Sequence, residues 1–492
     1  MPDIRYVCLS DTHFGAATSL LTNLKVASDE IDSLKPSPVL VTLVDCLRYL
    51  IDKNEDKTTK PTLVLNGDIL ELALADDHDA AMCFERLIDL VMDDHKGKMF
   101  DQIIYNPGNH DHHLWETARE SQYVDYISSE NPAKAPWGSE LKSPWHTTRM
   151  FTDPTRAYFL TALVRRRPNL KNTAIQTHYP NFGLVSEDRK RCVVFHHGHF
   201  VESIYRLMST LKTMLFPDSR IPSEIWNLEA ENFAWIDFFW STLGRSSAVG
   251  QGVSRIYEKM QNEDKFKQLL ANLADGLAKQ YGSTWAGGIE AKLLDWAFNA
   301  IYNHIGSLER NQPEQVLSQD AEQGLYGYMD GLPNQTDSQG NFIGPLTHQM
   351  ADENLAGQSL DRFTFVFGHT HKPFQDLRNF RSFPGWVKVY NSGGWVVDTV
   401  ERQPYHGGAV ILVDENLEAT SLRMYNESDD PSRYEVNVEE ACHPGDAPGV
   451  FHHRILGLID SSVSPWKNFS NQVARAISVR AQNLKTRIYS PI

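Results

Sequence analysis

Cysteine is scarce in this chain. There are five (Cys8, Cys46, Cys83, Cys192, Cys442) in 492 residues, widely spaced and with no CxxC pair. An odd, dispersed set excludes a disulfide framework and a cysteine-rich zinc site, and it fits a reducing compartment. Positive charge is also in deficit, with 47 Lys and Arg against 63 Asp and Glu, a net charge of −16. That balance argues against long nucleic acid as a partner, because neutralising its phosphates needs a basic surface. A small phosphorylated substrate stays open, since bound cations dominate a local field. Long apolar runs are missing too, and none approaches the length of a membrane span. The opening Met-Pro-Asp-Ile-Arg enters a strand with no basic-then-apolar leader, so a cytoplasmic protein is expected. What is present, 41% apolar and 22% charged residues, is the balance of a folded chain. At this length the core carries insertions or is divided.

Three apolar segments read as buried strands ending in polar residues: Ile4–Ser10, Thr62–Asn66 and Gln102–Asn106. Between them 23–34, 39–53 and 80–92 carry apolar positions at helical spacing. Strand alternating with helix implies parallel pairing with helices covering the sheet. Later strands are expected at 191–196, 363–367, 386–390 and 408–413. Residues 200–310, rich in aromatics, read as helices inserted between two core strands, at 200–216, 222–244, 263–281 and 288–310. Residues 312–360 have little periodicity and are expected to form a long, partly mobile loop. The resulting organisation is a core in two parts (1–199 and 362–430), an inserted helical cap with its loop (200–361) and a C-terminal extension (431–492).

Five polar blocks follow the strand candidates. They are Asp11-Thr12-His13, Gly67-Asp68, Gly108-Asn109-His110-Asp111, His196-His197-Gly198-His199 and Gly368-His369-Thr370-His371. Singly, each is a turn with a capping residue. Together they repeat one arrangement, carboxylate, amide or imidazole at the carboxyl end of a strand, where open α/β folds bind ligands. Imidazole with carboxylate suits manganese, iron or zinc, and the adjacent glycines let the backbone approach a metal closely. In an extended segment His369 and His371 share a side, as do Asp11 and His13. His112 and His113 read as exposed loop histidines.

In this order, DxH, GD, GNHD, a strand-terminal HGH and GHTH resemble the calcineurin-like metallophosphoesterase family. The motif-bearing core covers roughly residues 4–113, 190–200 and 362–415. The resemblance implies a four-layer α/β/β/α sandwich, here with an inserted helical cap and a C-terminal helix. It implies two divalent transition-metal ions (Mn, Fe or Zn), with Asp11, His13 and His371 holding one. Asn109, His197 and His369 would hold the other, and Asp68 would bridge them. His196 is the alternative to His197. His110 would act in catalysis just outside the metals, oriented by Asp111. Glu71 stands where many relatives carry aspartate.

The implied activity is hydrolysis of a phosphomonoester, phosphodiester or pyrophosphate on a small or lipid-linked substrate. A protein phosphatase and a scaffold without turnover are the competing classes. Two features bear on the substrate. The stretch Trp226–Trp240 holds six aromatic residues, either packing or an apolar wall for a substrate tail. Residues 465–489 have basic positions and an apolar stripe (Phe469, Val473, Ile477, Leu484, Ile488). Such a helix either docks on the acidic body or makes a peripheral membrane contact. Asn391-Ser392-Gly393-Gly394-Trp395 is similar to a segment of UDP-2,3-diacylglucosamine hydrolases, peripheral membrane enzymes that cut a pyrophosphate bond beside acyl chains.

Overall fold

The computed structural model describes residues 2–128, 146–216, 218–237, 312, 314–331 and 343–489. Its strands form two mixed sheets. The first contains β1 (Ile4–Leu9), β2 (Thr62–Asn66), β3 (Gln102–Asn106), β4 (Thr155–Arg156), β5 (Gln176–Thr177), β11 (Gly407–Asp414), β12 (Ala419–Asn426) and β13 (Asn437–Glu439). Their spatial order is β13-β12-β11-β1-β2-β3-β5-β4. The second contains β6 (Asn181–Val185), β7 (Arg191–His196), β8 (Arg362–Phe367), β9 (Phe374–Asn379) and β10 (Trp386–Asn391), in the order β6-β7-β8-β10-β9. β1, β2 and β3 pair in parallel, as do β7, β8 and β10. The expected parallel pairing is therefore present in both sheets.

The described helices are α1 (Pro38–Ile51), α2 (Asp77–Val91), α3 (His112–Ile127), α4 (Tyr158–Arg165), α5 (Leu207–Leu215) and α6 (Ile225–Ile236). Then follow α7 (Gln319–Asp330), α8 (Pro345–Asp352), α9 (Val450–Leu456) and α10 (Trp466–Tyr489). Ser37 starts α1 by accepting the Leu40 N–H at 3.0 Å, with Pro38 in the first turn, where its missing N–H costs nothing.

Strand periodicity sorts the core. Val7, Leu9, Leu63, Leu65, Val410 and Leu412 point into one cluster with α1, α2 and α10. Their neighbours Cys8, Val64, Ala409, Ile411 and Val413 point into another with Val193, Phe195, Val366 and Tyr390 of the second sheet. Cys192, Val194, Phe363, Phe365 and Phe367 face a third, shared with α6, α7 and α8. Both sheets are thus buried on both faces, which the near-continuous apolar runs of β1, β7, β8 and β11 require.

Two expectations change. Residues 23–34 are not helical. Leu24 and Ile31 form an antiparallel bridge around a turn in which Ala27 has φ +57°, and Glu30 N–H donates to Ser28 Oγ at 3.0 Å. Val26 and Leu34, which supplied the helical spacing, face solvent. Side chains of Ser and Asp give the backbone local partners that compete with a helix.

The region 312–360 is not one loop, since α7 and α8 lie in it. Ser318 caps α7, and Ala321, Leu325, Tyr328 and Met329 form its buried stripe, interrupted by polar residues that dilute the periodicity. The helices expected at 263–281 and 288–310 lie outside the described residues.

The C-terminal helix docks on the body. Phe469, Val473, Ile477 and Leu484 are buried, the first three in the cluster with α1. Arg480, which read as part of a basic face, is buried and donates to the carbonyls of Ser19 (2.7 Å) and Thr22 (2.5 Å). The apolar stripe thus packs on protein. Among the described residues no helix is long and apolar enough to cross a membrane.

Candidate metal centre

The five blocks meet at one edge. β1, β2 and β3 of the first sheet and β7 and β8 of the second end there, so that Asp11 and His13, Asp68, Asn109, His197, and His369 and His371 converge. Backbone hydrogen bonds fasten the loops to each other. Asp11 N–H donates to the Gly67 carbonyl (2.9 Å), His13 N–H to the Asp68 carbonyl (2.9 Å) and Gly368 N–H to the His197 carbonyl (2.7 Å). Asn66 and Asn106, at the ends of β2 and β3, tie the sheets together. Asn106 donates to Asn66 Oδ1 at 3.0 Å, and Asn66 donates to the His196 carbonyl at 2.9 Å.

The loops do not continue the strands. Asp11, His13, Asp68, His369 and His371 all have positive φ, between +43° and +71°. Non-glycine residues held there cost about 1–3 kcal/mol each and persist where the surroundings impose them. The alternation expected of an extended segment therefore fails. His371 turns toward Asp11 and His13, whereas His369 turns toward His197 and Asp68. Gly108 and Gly368 explain how the carboxylates fit. A Cβ on Gly108 would stand 2.2 Å from Asp68 Oδ1, and one on Gly368 2.1 Å from Asp11 Oδ2.

Two donor groups result, Asp11–His13–His371 and Asp68–His197–His369. Asp68 Oδ2 lies between them, 3.3 Å from His197 Nε2 and 3.8 Å from His13 Nε2. Asn109 Oδ1 is 2.9 Å from His197 Nε2, which places it with the second group. His196 is excluded. Its ring turns away from the centre and packs against Tyr328 and Phe365, and burial pushes its pKa far down.

Three histidines are oriented by carboxylates on the nitrogen away from the centre. His13 Nδ1 donates to Glu71 Oε2 (2.8 Å), His369 Nε2 to Glu202 Oε2 (2.9 Å) and His371 Nδ1 to Asp398. These bonds fix the tautomers so that lone pairs point inward. His369 Nδ1 then faces His197 Nε2 at 3.2 Å, beside two carboxylate or amide oxygens. His13 Nε2 is buried without a hydrogen bond. Converging nitrogen and oxygen donors suit a cation, and the N/O donor set fits divalent manganese, iron or zinc.

Asp111 does not orient His110 as the sequence reading has it. The Asp111 carboxylate accepts N–H groups of Gly108 (2.7 Å) and Ile69 (2.8 Å), with those of Asp68 and Leu70 each at 3.3 Å. It clamps the β2 and β3 loops together. His110 Nδ1 instead bonds Glu71 Oε1 at 2.9 Å. Glu71 is thus shared by His110 and His13. Burial works against its charge, but the two imidazoles hold it down to about 2. For His110, burial opposes the charged ring while Glu71 and Asp68 hold its pKa up to about 9.

His112 and His113 are not loop residues. They open α3, with His112 fully buried. Sequence reasoning gave Glu71 no firm role and missed Glu202 and Asp398. Glu71 falls three residues after Asp68, a readable signal. Glu202 and Asp398 lie in no motif. Among the described aromatics of 226–240, Phe233 packs on His112 and Arg119, and Trp235 donates to the Ile204 carbonyl at 3.0 Å. These rings serve packing. Phe238, Phe239 and Trp240 lie outside the described residues. Neither a protein-family model nor a curated protein matches the chain.

Proposed function

We propose that this protein is a binuclear metal-dependent phosphoester hydrolase of the calcineurin-like metallophosphoesterase type, acting on a small or lipid-linked phosphoester. The observation that carries this reading is the sharing of Asp68 between two N/O donor groups whose imidazoles are each aimed inward. The three apolar clusters that bury both sheets on both faces agree with the four-layer sandwich this type implies. Two divalent ions held by these residues would supply Lewis-acid charge for a phosphoryl group and the acidity that makes water a nucleophile near neutral pH.

The chain's own residues do the rest. Asp11, Asp68 and Asn109 set the charge and position of the donor groups, and the buried setting strengthens each interaction. His110, 8% exposed beside Asp68, offers an N–H to the charge that develops on the phosphoryl and leaving oxygens.

The test is a substrate panel with added manganese: a monoester, a diester, a cyclic nucleotide and a nucleotide-sugar pyrophosphate. At least one is expected to turn over, with His110→Ala keeping its metal and losing about 10²–10⁴-fold in kcat. No turnover of any member by metal-loaded protein, or a wild-type rate for His110→Ala, would refute the proposal.

A further inference from the structure

A second cluster of ligand-type side chains lies at the start of α3. His112 is fully buried, edge-on to Tyr179 at 5.4 Å and to Phe233 at 4.9 Å between ring centres. Its Nε2 is held by Glu229 Oε1 at 3.1 Å, and Glu229 in turn accepts the Tyr179 hydroxyl at 3.0 Å. With Nε2 pinned, Nδ1 points at Asp237 Oδ1, 3.5 Å away, and makes no hydrogen bond. His113 Nδ1 lies 3.6 Å from the same oxygen and 3.0 Å from Glu116 Oε2. His113, Glu116 and Asp237 offer atoms within 4.8 Å of one another.

We propose that His113, Glu116 and Asp237, on the wall made by the buried His112, form a third, separate binding site for a divalent transition-metal ion, zinc above others. The geometry supports it. Tetrahedral zinc with bonds of about 2.0–2.1 Å sets its ligand atoms about 3.3 Å apart. The spacings here, 3.0 Å between His113 and Glu116 and 3.6 Å between His113 and Asp237, bracket that edge. His112, held between Glu229 and Asp237, fixes the Asp237 carboxylate from the buried side. Burial of His112 makes one wall of the site. His113 and Glu116 leave the other side open to entry, with side chains 26% and 32% exposed.

Three protein ligands leave a fourth position for water. The site's effect follows from where the ligands stand. α3 begins two residues after His110, and Asp237 terminates α6. An ion here joins α6 to the turn that immediately follows Asn109 and His110, and so holds that loop in place.

The test uses full-length protein stripped by a chelator and re-equilibrated with zinc, counting bound zinc by mass spectrometry. Cobalt(II) absorption reports the coordination geometry. Asp237→Ala and Glu116→Ala are each expected to bind one fewer zinc per chain than the parent and to lose the tetrahedral cobalt band of this site. Asp68→Asn is expected to lose zinc from the other centre and keep that band, which separates the two readings. Glu116, on the outer flank of its helix, keeps the test valid should Asp237→Ala misfold. Zinc counts unchanged in Glu116→Ala, or a parent that binds no ion beyond those lost in Asp68→Asn, would overturn the site. It would then be an ion-pair cluster around protonated histidines.

Discussion

Replacing Glu71 by glutamine tests the orientation of one inward-facing imidazole at the centre. The substitution is nearly isosteric at a residue 3% exposed, so packing is retained. Glu71 Oε1 accepts the N–H groups of Ala73 (3.1 Å) and Leu74 (2.9 Å) as well as His110 Nδ1. Oε2 serves His13. In the variant the amide oxygen must stay on the Oε1 side, because two backbone donors point at it. The NH2 group then faces His13 Nδ1, which can accept only as a lone pair. That moves the His13 proton to Nε2, the atom aimed at Asp68 and the centre.

Recovering the competent tautomer means giving up a hydrogen bond to a charged group, about 1.5–3 kcal/mol. The expected outcome is a metal affinity lower by roughly 10–100-fold. His110 keeps its partner, so kcat at saturating metal should fall by less than about 10-fold. The assay is hydrolysis of the best panel substrate across a manganese titration, with manganese binding by calorimetry alongside. A titration midpoint equal to wild type would refute the idea that Glu71 sets the His13 tautomer. An equal midpoint with lost kcat would move the role of Glu71 to His110 alone.

Two predictions concern stability. Glu427, buried just after β12, has its pKa pushed up to about 7 by burial, although the Gln403 N–H at 3.0 Å favours its charged form. A carboxyl raised in the folded state binds more protons there than when unfolded. Its contribution is therefore greatest below about 4.5, falls as pH rises toward 7, and stays lost above it. Glu427→Gln keeps the acceptor, so it should flatten that slope and stabilise the protein by up to about 3 kcal/mol at pH 8. Urea unfolding between pH 5 and pH 8 checks this, and an unchanged slope would count against it. Phe469→Ala, on the docked face of α10, is expected to cost about 3–5 kcal/mol by denaturant unfolding. A cost under about 1 kcal/mol would mean that α10 does not dock.

The sequence by itself determined the strands and the ligand types. Apolar runs of five or six residues ending in Asp, Asn or His are local patterns, and the period of two fixes which side chains face which layer. That is why the order of the five blocks was readable, together with the residues that now surround Asp68. Tertiary structure decided what local pattern does not encode. Positive φ at His369 and His371 sends two histidines of one motif to different donor groups, a choice imposed by the loops around them. Glu202 and Asp398 become partners of His369 and His371 only because separate elements bring them there. Asp111 turned from His110 to four backbone N–H groups because those donors converge on it once β2 and β3 pair. His112, seemingly an exposed loop residue, is buried because α6 closes over it with Glu229 and Phe233. Residue type follows from chemistry the chain carries locally. Orientation and partnership follow from long-range packing, which the order of residues along the chain specifies only through the fold.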